Sequence, residues 1–282
     1  MIPAEFEYEA PESLDEAIGL LSSRADEDPK LLAGGHSLIP LMKLRLATPG
    51  LLIDLRRVAG LHGIQRENGT WQIGAMTPHA ELARSSELGI AATVAASIAD
   101  PQVRNCGTIG GSLAHGDPAS DLPALLLACD GSVTLQGPSG QRALGAGELF
   151  QDYLQTAVSD DEVLTEVRLP ALDGWGCAYR KFNRRSEDWA VVAVTALVKR
   201  DGDRCEDVRV AISNMGSVPL RAHATEQALR GGPLNADAID AAASQAADAT
   251  DPPADLNASA DYKRHLARVM SARALKEAAG LT

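Results

Sequence analysis

Ala33-Gly34-Gly35-His36-Ser37 and Thr108-Ile109-Gly110-Gly111-Ser112 are two stretches that each carry a glycine pair followed by a hydroxyl side chain. Glycine lacks a Cβ, so a turning backbone there can point several N–H groups at one anion and approach it closely. Neither stretch matches the G-x-G-x-x-G that opens a Rossmann helix or the G-x-x-x-x-G-K-[ST] phosphate loop. We therefore predict that the two stretches meet in space and hold the diphosphate of a dinucleotide, in one of the less common dinucleotide folds.

The composition is that of a globular chain. With 282 residues and 45% hydrophobic content, it can bury a sizeable core in one large or two modest domains. The formal net charge of −12 disfavours nucleic acid and anionic membranes as partners, because both require clustered Lys and Arg. The sequence has no stretch of about 20 apolar residues that would span a bilayer, and its first residues are acidic where a secretion signal would be basic. We expect a cytoplasmic protein with no integral membrane segment.

The cysteines and histidines predict no metal site in this chain. The cysteines lie far apart in the sequence, without the C-x-x-C pairs typical of zinc or iron–sulfur sites, and are expected to be reduced thiols. The histidines show no H-E-x-x-H spacing. Any redox chemistry here therefore requires an organic cofactor.

Hydrophobic periodicity divides the chain into three regions. Strands over 5–8, 31–33 and 51–55, with a helix starting at the Ser13 capping box, predict a β-α-β unit around the first glycine stretch. The second region is predicted to contain a hairpin at Asn68-Gly69, a helix capped by Thr77, helices over 88–99 and 121–129, and strands over 132–135 and 163–169. After a boundary near Asp173, the third region is predicted to contain three strands, over 179–182, 190–199 and 205–212, and helices over 222–229, 236–249 and 259–278.

Longer stretches around the glycine pairs carry a resemblance to a known family. Residues 33–45, residues 101–123 and Tyr179-Arg180-Lys181-Phe182 resemble the FAD-binding medium subunits of the carbon monoxide dehydrogenase, xanthine dehydrogenase and aldehyde oxidase group of molybdenum hydroxylases. The resemblance extends over essentially the whole chain. It implies an α+β fold, with a PCMH-type (vanillyl-alcohol-oxidase-like) FAD-binding domain of two α/β subdomains and a C-terminal α+β domain with a small antiparallel sheet and helices. The expected domains are 1–173, with subdomains of about 1–57 and 58–173, and 174–282.

The resemblance also implies which residues bind FAD. The two glycine stretches would hold the diphosphate through backbone amides and hydroxyls. Asp121 would contact the ribose or adenosine side, the Leu164 backbone would contact the flavin ring, and Lys181 would lie near the isoalloxazine. Relatives of the xanthine dehydrogenase branch usually end the second stretch in Asn, whereas this chain has Ser112, as in the carbon monoxide dehydrogenase branch. The full expected set is Ala33, Gly34, Gly35, His36, Ser37, Thr108, Ile109, Gly110, Gly111, Ser112, Asp121, Leu164 and Lys181.

The implied function is electron transfer, with no catalytic side chain and no metal in this chain. In the family, a large molybdopterin subunit oxidises the substrate, a small subunit carries [2Fe–2S] clusters, and FAD passes the electrons to an external acceptor. We expect association with both subunits, in a doubled heterotrimer. The alternatives are a self-sufficient FAD oxidase of the same fold, with flavin attached through His36, and a flavin-free scaffold.

Several of these residues also have a purely structural interpretation. Asp121 can serve only as a helix N-cap. His36 and His115 can be ordinary structural histidines. Lys181, close to Arg180, Arg184 and Arg185 in the sequence, can belong to a solvated basic face or to a docking patch for a partner.

Overall fold

The computed structural model describes residues 2–281; Met1 and Thr282 lie outside the described residues. The helices are α1 (Leu14–Ser23), α2 (Leu38–Lys43), α3 (His79–Arg84), α4 (Ile90–Ala96), α5 (Pro101–Cys106), α6 (Ile109–His115), α7 (Asp121–Ala128), α8 (Ala146–Leu149), α9 (His223–Leu229), α10 (Ala236–Ala243) and α11 (Ala260–Ala278). The strands are β1 (Glu7–Glu9), β2 (Lys30–Leu32), β3 (Leu51–Asp54), β4 (Ile64–Glu67), β5 (Thr70–Gly74), β6 (Ser132–Gly137), β7 (Gly140–Gly145), β8 (Phe150–Asp152), β9 (Gln155–Thr156), β10 (Val163–Pro170), β11 (Trp175–Phe182), β12 (Val192–Asp201), β13 (Arg204–Ser213) and β14 (Leu220–Arg221).

The first region forms the predicted β-α-β unit. Its three strands are parallel in the order β1-β3-β2, and every residue of the central strand β3 is buried, which explains the uninterrupted apolar run Leu51-Leu52-Ile53. The Ser13 hydroxyl caps α1 by accepting from the Glu16 amide at 3.2 Å. The first glycine stretch begins immediately after β2 and leads into α2.

The second region is built on a five-stranded antiparallel sheet in the order β4-β5-β10-β6-β7. Its first hairpin turns at Asn68 and Gly69, which have φ values of 48° and 76°, as an Asn-Gly hairpin requires. The edge strand β7 was not predicted; four of its six residues are exposed, so it lacks the apolar alternation of a half-buried strand. A further short hairpin pairs β8 with β9.

The helices around the second glycine stretch differ from prediction. Pro78, not Thr77, is the N-cap of α3, because the Thr77 hydroxyl is bonded to the Gly63 backbone at 3.0 and 3.2 Å instead. The predicted helix over 88–99 is shorter, since α4 ends at Ala96. The stretch itself is not a free turn: two short helices that were not predicted, α5 and α6, lie on either side of Gly107.

The third region is the expected small antiparallel sheet, in the order β11-β12-β13-β14, with α9, α10 and α11. Val194 and Ala196 of β12 belong to the core that includes α11, whereas Leu197 belongs to the core of the second region. Burial on both faces explains the continuous apolar run of this strand. The helix α10 is shorter than predicted, because it ends at Ala243.

The sheet of the third region packs directly on α7. Near the start of α7, the Ser213 hydroxyl donates to the Ser120 carbonyl at 3.1 Å. At its other end, Arg209 and Arg221 both pair with Asp130, at 3.0 and 2.7 Å. Attachment at both ends of α7 sets the position of this sheet, and with it of β11, relative to the glycine stretches.

Candidate functional site

The two glycine stretches, far apart in the sequence, are in contact in the structure. A Cβ added to Gly34 would lie 2.3 Å from the Cys106 carbonyl oxygen and 2.6 Å from the Gly107 Cα. A Cβ on Gly111 would lie 3.4 Å from the Ala33 Cβ. The predicted meeting of the two stretches is therefore present in the fold.

The structure gives reasons for glycine at these positions within the chain itself. Gly34 and Gly110 allow protein backbones to approach each other, since a Cβ on Gly110 would lie 2.7 Å from the Ala75 carbonyl oxygen. Gly35 has φ +73°, a left-handed conformation that favours glycine. Packing and backbone conformation within the chain therefore already favour glycine at these three positions.

The first stretch presents unused backbone donors. The N–H groups of Gly34, Gly35, His36 and Ser37 donate to no acceptor within residues 2–281. Ser37 precedes α2 without making a side-chain capping bond, so its hydroxyl is also available. This loop has the donor set that a phosphate group requires.

Most backbone amides of the second stretch are used within the chain, whereas the Thr108 N–H donates to no acceptor within residues 2–281. Ile109 donates to Thr77 O at 3.1 Å and Gly110 donates to Ala75 O at 2.8 Å. Gly111 and Ser112 donate to the Thr108 hydroxyl and carbonyl oxygens, at 3.1 and 3.0 Å. Thr108 is thus the N-cap of α6. The stretch can therefore offer a ligand the Thr108 N–H and the hydroxyls of Thr108 and Ser112.

Both stretches line one cleft with a volume of about 530 Å³, within the usual range for cofactor sites. Ile109 is the exception among the expected residues, because it is 3% exposed and packs into the core of the second region. The cleft brings together twelve of the thirteen expected residues, namely Ala33, Gly34, Gly35, His36, Ser37, Thr108, Gly110, Gly111, Ser112, Asp121, Leu164 and Lys181.

Leu164 lies in the cleft wall where β10 is irregular. The pairing of β10 with β6 shifts register between Leu164 and Glu166, so Thr165 is the extra residue of a bulge. The Thr165 carbonyl accepts from Ala75 N at 2.9 Å, which ties the bulge to the backbone beneath Gly110. Bulges commonly redirect a strand beside a binding site.

Asp121 and Lys181 form a buried ion pair at the cleft. Their side chains are 7% and 8% exposed, and Lys181 Nζ lies 3.1 Å from Asp121 Oδ2. Tyr179, two residues before Lys181 on β11, donates its hydroxyl to Asp121 Oδ1, and Lys181 also donates to Ser97 O at 3.3 Å. Burial raises the pKa of the Asp121 carboxyl, against the opposing effects of Lys181 and Tyr179.

This arrangement corrects two structural interpretations. Asp121 is not the N-cap of α7, because that position is occupied by Ser120. Lys181 does not belong to a solvated face, since it is buried against Asp121. The resemblance implied separate contacts with FAD for these two residues, and in the structure Lys181 Nζ lies 3.1 Å from Asp121 Oδ2.

The cleft also contains residues that sequence reasoning did not select, among them His79 and Trp189. His79 is 5% exposed, and burial, with Arg104 and His36 nearby, lowers its pKa to about 4. Trp189 is 56% exposed in the loop between β11 and β12. No sequence signal distinguished either residue, because only the fold places them beside the glycine stretches.

The rest of the described chain holds no competing metal centre. Residues 2–281 contain no group of three or more His, Cys, Asp or Glu side chains arranged to hold a metal ion, and the four cysteines are free thiols. No helix in this range is sufficiently long and apolar to cross a membrane.

Two family models match consecutive parts of the sequence. The model described as the FAD binding domain in molybdopterin dehydrogenase matches residues 4–172. The model described as the CO dehydrogenase flavoprotein C-terminal domain matches residues 177–278. FAD is accordingly the cofactor of this chain.

Similar proteins match along the whole chain. The carbon monoxide dehydrogenase medium chain of Hydrogenophaga pseudoflava is 42% identical, over 99% of this chain and 98% of its own. The corresponding medium chain of Afipia carboxidovorans is 39% identical, over 99% of this chain and 98% of its own. Among solved structures, carbon monoxide dehydrogenase from Hydrogenophaga pseudoflava superimposes with a TM-score of 0.96 at 43% identity, covering 100% of this chain and 99% of that chain. The chain therefore belongs to the FAD-binding medium subunits of the molybdenum hydroxylases, a family of oxidoreductases.

Proposed function

We propose that this chain receives electrons from [2Fe–2S] clusters on a small partner subunit and passes them through FAD to an external acceptor. Oxidation of the substrate takes place at molybdopterin on a large partner subunit. The observation that best supports this proposal is that both glycine stretches and the Asp121–Lys181 pair line one cleft. Similarity over the full length to medium chains of dehydrogenases favours a subunit over a self-sufficient oxidase.

The residues of the first stretch are assigned to the FAD diphosphate. The unused N–H groups of Gly34–Ser37 donate to phosphate oxygens, and the hydroxyls of Thr108 and Ser112 donate from the facing side. Ala33, Gly110 and Gly111 shape the cradle and approach the cofactor through main-chain atoms. Because the donors are mostly backbone groups, an acidic chain can bind an anion without a basic surface patch.

Asp121, Lys181 and the Leu164 backbone are assigned to the isoalloxazine end. When bound, FAD supplies the ring system that accepts and releases electrons. The Lys181 ammonium stabilises negative charge beside that ring, and burial at the cleft wall strengthens the interaction. Asp121 holds Lys181 in place, and no side chain of this subunit acts as nucleophile or general acid.

The proposed domains follow the same division. Residues 1–173 form the FAD-binding domain, with subdomains of about 1–57 and 58–173, and residues 174–282 form the C-terminal domain. Lys181 reaches the cleft from the C-terminal domain, whereas the glycine stretches belong to the FAD-binding domain. The cofactor site therefore needs both domains in their docked position.

Purification of the protein from its native host tests this function. We expect one larger and one smaller partner chain to copurify with this chain, in a doubled heterotrimer that contains FAD, molybdenum and iron. Acid precipitation should release the flavin into the supernatant. A single-chain protein that contains neither metal and keeps its flavin in the acid pellet would instead support the oxidase with flavin attached through His36.

A further inference from the structure

His79 lies behind the junction of the two glycine stretches. Its backbone N–H donates to the Gly107 carbonyl at 2.9 Å, which attaches the start of α3 to the segment before Thr108. A Cβ on Gly107 would lie 2.9 Å from His79 Cδ2 and 3.0 Å from Nε2, so the imidazole edge packs on this glycine. Gly34 packs on the same residue, Gly107. A single residue, Gly107, thus separates the imidazole from both stretches in space.

The imidazole has no hydrogen-bond partner in the described chain, although the residue is only 5% exposed. Its Nδ1 atom is enclosed and unpartnered. Burial, together with the nearby His36 and Arg104, keeps the ring neutral at neutral pH, so it carries a single N–H. Nδ1 lacks a partner whether or not it carries the proton, and because it is enclosed it can reach no group in the cleft. Nε2, at the edge that meets Gly107, is the ring nitrogen that can share its proton with a group bound in the cleft.

We propose that His79 is a further cofactor-binding residue, whose neutral imidazole donates its Nε2–H to a diphosphate oxygen of FAD. The proposal rests on the assignment of the glycine stretches to the diphosphate. It explains why a polar ring without internal partners lies in the wall of the cleft. It also adds a side-chain donor to the backbone donors of the first stretch.

Amide replacements distinguish the two ring nitrogens. The Gln side-chain nitrogen can reach the position of Nε2, whereas the Asn nitrogen reaches only that of Nδ1. Titration of the full-length chain with FAD, followed by fluorescence quenching, should give a Kd for His79→Gln within about threefold of wild type. We expect His79→Asn and His79→Phe to bind about 10- to 100-fold more weakly. His265→Gln, at an exposed position on α11, is the matched control.

Competition experiments locate the contact on the cofactor. ADP shares the diphosphate but lacks the flavin. The Kd of ADP, obtained by competition with FAD, should therefore rise in His79→Asn by the same factor as the Kd of FAD. A loss confined to FAD would place the contact at the flavin and overturn the proposal. Equal losses in His79→Gln and His79→Phe would overturn the hydrogen bond. Failure of the wild type to bind FAD would instead overturn the proposed function, and this inference with it.

A measurement without any variant guards against misfolding. In wild-type protein labelled with ¹⁵N-histidine, His79 should show the Nε2–H tautomer at neutral pH, and its Nε2–H signals should shift when ADP binds. An Nδ1–H tautomer, or signals that ADP leaves unchanged, would overturn the proposal.

Discussion

Acidification should destabilise this protein through His79 in particular. The structure keeps this ring buried and neutral, with a pKa of about 4, whereas in the unfolded chain it has the ordinary value of 6.5. Between these values the unfolded chain binds more protons than the folded one. The stability contributed by the neutral ring is therefore complete above about pH 6.5 and is lost as the pH falls towards 4.

The size of the effect follows from the two pKa values. The gap between 6.5 and about 4 corresponds to about 3 kcal/mol of unfolding free energy, of which about 2 kcal/mol is lost between pH 7 and pH 5. Because His79 is 5% exposed, solvent screens this effect little. In a protein of marginal stability, about 2 kcal/mol is a large share of the total.

Urea unfolding of the FAD-free chain at pH 7 and pH 5 measures the effect. Other groups titrate in this range, so the relevant quantity is the difference between wild type and His79→Gln. Wild type should lose about 2 kcal/mol more than this variant on acidification. His265→Gln serves as the control for removal of an exposed histidine. Equal losses in wild type and His79→Gln would refute the reasoning.

Replacing Lys181 by Met should weaken FAD binding at least tenfold and lower the unfolding free energy by about 3 kcal/mol, because Asp121 is left as an unpaired buried charge. The double variant with Asp121→Asn should recover most of that stability in urea unfolding; no recovery would contradict the pairing. Gly34→Ala should lower the melting temperature by several degrees, since its Cβ would lie 2.3 Å from a facing carbonyl oxygen, whereas Gly19→Ala, with nothing within 4 Å, should not. Trp189→Phe should remove much of the tryptophan quenching caused by FAD, because the other two tryptophans lie outside the cleft. Undiminished quenching would argue against FAD binding in the cleft beside Trp189.

The sequence by itself determined the local elements and the family. The Ser13 cap, the Asn68-Gly69 hairpin and the apolar run Leu51-Leu52-Ile53 were readable because each depends on neighbouring residues alone. The glycine stretches with their flanking residues were specific enough to indicate a flavin-binding medium subunit. The short exposed strand β7 and the helices α5 and α6 were missed, because segments of six or seven residues are too short to show a clear hydrophobic periodicity.

Tertiary structure alone decided how the site is assembled. The contact of Gly34 with Gly107, the internal use of the Gly110 amide and the pairing of Asp121 with Lys181 all join residues that are distant in the chain. Distant segments that pack together decide which N–H groups are free to donate and which side chains are buried. No local sequence pattern encodes that packing. For this reason residue types pointed correctly to FAD, whereas the contacts of each residue became apparent only once the chain was folded.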